Sequence, residues 1–190
     1  MRKLADELIK GLRSELPKTL APYEKDIWSV CLCGSYPRGD FIEGNSDLDF
    51  NIYFTPGRKG TFPVYDPNNE PGFKAIQELA NSILGDRKFH SHSPNGLDWI
   101  PILWEWIPRT TEDIHLPKSS TNFRYFNLFL FDYLDNLIVL WGNDPRELMP
   151  HPPDFHTLAL EWFDGIRTKN ELMKKMAWSG EFPLVFSCPY

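Results

Sequence analysis

Asp47 and Asp49 stand two residues apart in Ser46-Asp47-Leu48-Asp49-Phe50-Asn51-Ile52-Tyr53-Phe54, a spacing that lets two carboxylates act together. On a β-strand, residues i and i+2 share a face. Asp47, Asp49, Asn51 and Tyr53 then project to one side, while Leu48, Phe50, Ile52 and Phe54 line the other, which reads as core. Neighbouring carboxylates repel unless a cation sits between them, and hard oxygen donors of this kind suit Mg2+, or Mn2+ in its place. Upstream, the apolar run Asp26-Ile27-Trp28-Ser29-Val30-Cys31-Leu32-Cys33 reads as a buried strand that empties into Gly34-Ser35. A helical turn beginning there offers backbone N–H groups and the positive end of a dipole to phosphate, with the Ser35 hydroxyl as a further donor. Glycine at 34 admits a close approach of ligand to backbone. An Asp-x-Asp alone is usually a solvated pair, and a Gly-Ser alone usually a turn. Joined by Arg38-Gly39 and a short connection, they point to a site for a nucleotide and a metal ion.

The pattern resembles the signature of the polymerase-beta-like nucleotidyltransferase superfamily, in which Gly-Ser is followed by an Asp-x-Asp strand and later by a third acid on a neighbouring strand. The resemblance spans roughly residues 26–142. It implies a small twisted mixed sheet flanked by helices, an α/β (mixed α+β) fold. The implied reaction is transfer of a nucleoside monophosphate from a nucleoside triphosphate to an acceptor hydroxyl, with release of pyrophosphate and two Mg2+ ions. ATP is the expected donor. Asp47, Asp49 and a third acid would hold the metals, and Gly34, Ser35, Arg38 and Ser46 would meet the nucleotide, with Arg124 the alternative to Arg38 as a source of positive charge. For the third acid, Asp98 in Leu97-Asp98-Trp99-Ile100-Pro101-Ile102-Leu103 is preferred, because an acid followed by two apolar residues and proline is similar to the third-acid strand of the CCA-adding and oligoadenylate-synthase branches. Glu105, between Trp104 and Trp106, is the competitor. Asp98 would also act as general base. Asp40 follows Gly39 where polymerising members typically carry threonine, which turns the expectation away from a polymerase-like acceptor.

The elements that must position these residues follow from periodicity and punctuation. Leu4, Leu8, Leu12 and Leu16 recur every fourth residue and predict an amphipathic helix over 2–16. Strands are expected at 26–33 and 47–54, a short helix at 35–42, a Pro- and Gly-rich loop at 55–71 and a helix at 73–84. A hairpin is expected over 87–104, turning at Ser93-Pro94-Asn95-Gly96 so that the strand with Asp98 returns antiparallel. A helix over 120–136 and a strand over 137–141 would complete the sheet. Gly57-Arg58-Lys59-Gly60 reads as an exposed turn, the alternative being a basic flap over triphosphate. The division expected is a catalytic domain at 1–149 and a helical C-terminal extension at 150–190, short for a separate acceptor-binding domain. The acceptor pocket would then be shared with a second copy or a helical partner protein.

The chain's 190 residues carry a net charge of −6, and the acidity lies wholly beyond residue 60. A polynucleotide-gripping protein usually presents a basic stripe, and none is visible. A small-molecule or protein acceptor is favoured over RNA or an oligonucleotide, and Asp132, Asp135, Asp144, Glu147, Asp154, Glu161 and Asp164 would suit a cationic one. The alternative of another class is a non-catalytic nucleotide-binding or antitoxin-like module. Cys31 and Cys33 lie too close along one strand to bridge, and Cys188 is alone, so reduced, packed thiols are expected. His90 and His92 lack a third ligand for zinc, and there is no nucleophile elbow, P-loop or dinucleotide fingerprint. The first helix lacks the apolar run of a signal peptide, and charges interrupt the stretch 123–140, so no membrane span and a cytoplasmic location are expected.

Overall fold

The computed structural model describes residues 2–57, 70–89, 96–104, 107 and 132–149. The sequence-level readings for residues 58–60, His90, His92, Glu105, Arg124, Cys188 and the extension 150–190 fall outside them.

Helix α1 covers Lys3–Leu20 and buries Ala5, Leu8, Ile9, Leu12, Leu16 and Leu20 along one stripe. The sequence predicts an end at residue 16, ahead of Pro17, yet the helix runs through that proline for one more turn. A proline inside a helix removes an N–H donor and crowds the preceding turn, at a cost of about 3 kcal/mol. Leu20 is wholly buried, and burying a leucine is worth ~1.5–3 kcal/mol, so one more turn of the stripe roughly offsets the proline.

Strand β1, Ile27–Cys33, is bracketed by β2, Leu48–Phe54, and β4, Ile138–Gly142, both antiparallel to it. Strand β3, Leu97–Ile102, completes the order β3-β2-β1-β4. The sheet is therefore mixed, and β3 pairs with β2 in parallel. Of the expected hairpin, residues 87–89 are irregular rather than strand and residues 90–95 lie outside the described ones; helix α3, Pro71–Leu84, carries the chain across between β2 and β3. A strand, a helix and a second strand make a crossover unit, and crossovers deliver parallel neighbours. The short helix also ends early. Helix α2 is Ser35–Arg38, closed by Gly39 at φ 96°, a left-handed cap that stops propagation well before residue 42.

Alternation along the strands sorts the side chains onto two faces. Val30 and Leu32 of β1, and Leu48, Phe50, Ile52 and Phe54 of β2, join a core with α1 and α3, which pack against each other. The opposite face carries Cys31, Cys33, Tyr53 and Ile102, covered by Ile107, Tyr133, Leu137 and Met149. Asn51 and Tyr53 are thus buried, and the polar face expected of β2 is open only at its Asp47–Asp49 end.

If α1 is continuous through Pro17, Pro17→Ala restores the missing hydrogen bond and relieves the crowding, less up to ~1 kcal/mol of lost unfolded-state restriction. Stabilisation of ~1–2 kcal/mol is expected in urea unfolding. A neutral or destabilised variant would mean that the helix ends before the proline.

Candidate active site

Asp49 is the second residue of β2, Asp98 the second residue of β3, and the parallel register sets them directly opposite each other. Asp47 immediately precedes β2 and lies on the same side by alternation. Behind this pair, on the core face, Phe50 stands opposite Trp99, and their rings stack at 4.6 Å between centroids. The aromatic contact fixes the register that pairs the acids.

The electrostatics reflect the crowding. Burial, then the charges of Asp98 and Asp47, raise the Asp49 carboxyl from its ordinary 3.8 to about 6; Arg38 works in the opposite direction and Asp132 adds to the rise. All three acids singled out in the sequence are therefore brought together electrostatically.

On its other side Asp49 pairs with Cys33 of β1, whose thiol lies 3.5 Å from the Asp49 carbonyl oxygen. The next residue is Gly34, at φ 76°. A Cβ at that position would fall on Oδ2 of Asp49. Glycine is thus required twice, by backbone conformation and by the carboxylate beneath it. Ser35 opens α2. The Asp40 N–H returns to the Ser35 carbonyl at 3.1 Å, which closes the turn. The first residues of the chain brace this segment: Arg2 donates to the carbonyls of Tyr36 and Gly39, and the Tyr36 hydroxyl donates to Asp6.

Arg38 extends from α2 to Asp132, with Nη1 to Oδ2 at 2.9 Å, and Nε approaches Asp40 at 3.4 Å. Ser46, expected at the nucleotide, has its hydroxyl engaged by the Ile42 N–H at 3.0 Å and closes the 42–46 turn. Two residues at the site, Asp132 and Asn51, play roles that the sequence reading did not assign them. Asp132 reads only as one of many acids, yet it holds Arg38. Asn51, wholly buried, donates to the Tyr53 hydroxyl at 3.4 Å and also hydrogen-bonds Tyr133. The change from acids to Asn51 and Tyr53 along that face was the available clue to a covered floor.

The oxygen donors of Asp47, Asp49 and Asp98 suit a hard dication chemically, and the raised Asp49 carboxyl marks accumulated negative charge that such an ion would neutralise. Among the described residues, no three Asp, Glu, His or Cys side chains are gathered closely enough to ligate one ion as they stand. Cys31 and Cys33 are free, buried thiols. Burial pushes Cys31 up to about 12 and Cys33 further, with Asp49 adding to the rise, so neither is a thiolate nucleophile at neutral pH. No helix among the described residues is long and apolar enough to cross a membrane.

No protein-family model matches the chain, and no curated protein matches it. Among solved structures, the chain is similar to a toxin-antitoxin crystal structure with AMP-PNP, at 14% identity over 87% of this chain and 92% of that one, with a TM-score of 0.33. It is also similar to spectinomycin adenyltransferase AAD(9) from Enterococcus faecialis with ATP and spectinomycin, at 16% identity over 90% of this chain and 68% of that one, with a TM-score of 0.46. Likenesses at this level transfer neither substrate nor chemistry.

The raised Asp49 carboxyl has a signed consequence for stability. Between about pH 4 and pH 6 the folded chain retains a proton that the unfolded chain releases, so this residue's contribution is favourable at low pH and is lost as pH rises through 6. In the presence of a chelator, Asp49→Asn should be more stable than the parent above pH 6, by of order 2–3 kcal/mol. The advantage should vanish below pH 4. Equal stability of the two chains at pH 7.5 in urea unfolding would contradict the burial and repulsion assigned to Asp49.

Proposed function

We propose that the chain is a nucleotidyltransferase of the polymerase-beta-like kind, moving a nucleoside monophosphate from a nucleoside triphosphate, with ATP the first donor to test, to an acceptor hydroxyl. The observation that carries this reading is that Asp49 lies opposite Asp98 in the parallel register, within reach of the charge of Asp47, with Gly34 packed against the Asp49 carboxylate where no larger residue would fit.

In this reading the acceptor oxygen forms a bond to the α-phosphorus as the bond to the β-phosphate bridging oxygen breaks, and pyrophosphate departs. The hydroxyl proton passes to a carboxylate, and Asp98 is the assigned base. Gly34 and Ser35 seat the phosphates through backbone N–H groups and a hydroxyl. Arg38 contributes a fixed positive charge toward the departing pyrophosphate. Mg2+ or Mn2+ held by Asp47, Asp49 and Asp98 would supply neutralisation of the triphosphate and activation of the acceptor hydroxyl. The repulsion that Asp98 and Asp47 exert on Asp49 is what such an ion would relieve. The net charge of −6 supports a small-molecule or protein acceptor over a polynucleotide, and the acceptor pocket would be shared with a second copy or supplied by a helical partner protein.

Two measurements test this. ATP with Mg2+ should raise the melting temperature, since a ligand bound only by the folded state stabilises it. Asp98→Ala should abolish nucleotide transfer, by at least 100-fold, while largely preserving ATP binding, because its role lies at the acceptor end. Binding without turnover in the parent, across a broad set of acceptors, would favour the non-catalytic nucleotide-binding module. Near-parental turnover by Asp98→Ala would remove that residue from the chemistry.

A further inference from the structure

Asp132 reaches the site from the last described segment of the chain, and among the described residues its carboxylate is the more shielded of the two acids that Arg38 meets. The Arg38–Asp132 pair is closed at 2.9 Å with the Asp132 side chain 14% exposed. The alternative partner, Asp40, is at 3.4 Å and 63% exposed. An exposed pair such as the latter holds a long side chain weakly. Asp132 is itself tied down: its other oxygen accepts from Asn136 Nδ2 at 3.0 Å, and the adjacent Tyr133 is buried and bonded to Asn51 of β2. The guanidinium is therefore gripped through Nη1 and, more loosely, Nε, which leaves Nη2 without a protein partner among the described residues.

We infer that Asp132 is a positioning residue for nucleotide binding: it orients Arg38 so that the remaining edge of the guanidinium meets the triphosphate. The inference rests on the nucleotide-binding reading above. A guanidinium held on one shielded carboxylate keeps its other edge turned away from that partner, and less conformational freedom remains to be lost when phosphate arrives. The sign of the effect separates this role from simple charge. Removing a carboxylate near a triphosphate should, by relief of Coulomb repulsion alone, tighten binding. Losing the orientation of Arg38 should weaken it.

The test is a double-substitution cycle on the full chain, read as the dissociation constant of ATP with Mg2+ by calorimetry. Asp132→Ala should weaken ATP binding about tenfold. Arg38→Ala should weaken it by at least as much, and the double variant should bind no worse than Arg38→Ala alone. A structural role for Asp132 would cost the same affinity in either background, so the cycle distinguishes the two. Where Asp132→Ala does not fold, Asp132→Asn keeps the shape and should lose about threefold, again only when Arg38 is present. Unchanged or tighter ATP binding by the Asp132 variants, or an equal loss in the Arg38→Ala background, overturns this inference alone. Absence of ATP binding by the parent chain overturns the nucleotide reading and this inference with it.

Discussion

Three carboxylates that repel one another are held at the end of a buried sheet face, and much of the local architecture is the means of holding them. A carboxyl raised to about 6 makes the folded state less stable at neutral pH by of order 2–3 kcal/mol. The compensation lies directly behind it. Phe50 and Trp99 stack across the same register step region as the acids, and Leu48 and Phe50 are wholly buried. Each such side chain is worth ~1.5–3 kcal/mol on burial. The strand can therefore carry charge on one side because its other side is fully committed to the core.

The opposite face is graded along its length. Past Asp49 comes Asn51, then Tyr53, both out of solvent, with Tyr133 hydrogen-bonded to Asn51 and apolar cover from Ile107, Leu137 and Met149. The acids sit where that cover ends. One side of the site is consequently low in dielectric, which strengthens the coupling among the charges, and the other admits solvent or ligand. The same segment that supplies Tyr133 supplies Asp132, so the covered floor and the grip on Arg38 are built from neighbouring residues.

Much of the framework was legible in the sequence because it is local. Leucines at fourfold spacing gave α1, alternation gave β2, an apolar run stopped by glycine gave β1, and the Asp-x-Asp spacing is a property of one strand. The failures are where a competing interaction won. Pro17 did not stop α1 because Leu20 had a core site to fill. Gly39 stopped α2 at Arg38, short of the expected residue 42, and Phe41 enters the core from beyond the helix. Asp132 was invisible as a site residue because its bond to Arg38 spans 94 positions in the chain, and no spacing rule reaches that far. The hairpin expected over 87–104 is not seen at residues 87–89, which are irregular, and β3 takes β2 as its described partner because helix α3 has already reversed the chain.

That last difference bears on chemistry more than any other. Asp49 and Asp98 are each the second residue of their strand. In parallel pairing, second residues lie at the same end, and the observed register puts them side by side. Were β3 antiparallel to β2 with its ends aligned, Asp98 would fall beside the far end of β2, roughly 13 Å away along the strand at about 3.3 Å per residue. Two carboxylates that far apart repel weakly and cannot share an ion. Helix α3 is therefore as much a part of the candidate site as the acids are, for it sets the direction in which β3 enters the sheet and with it which residues Asp49 must live beside.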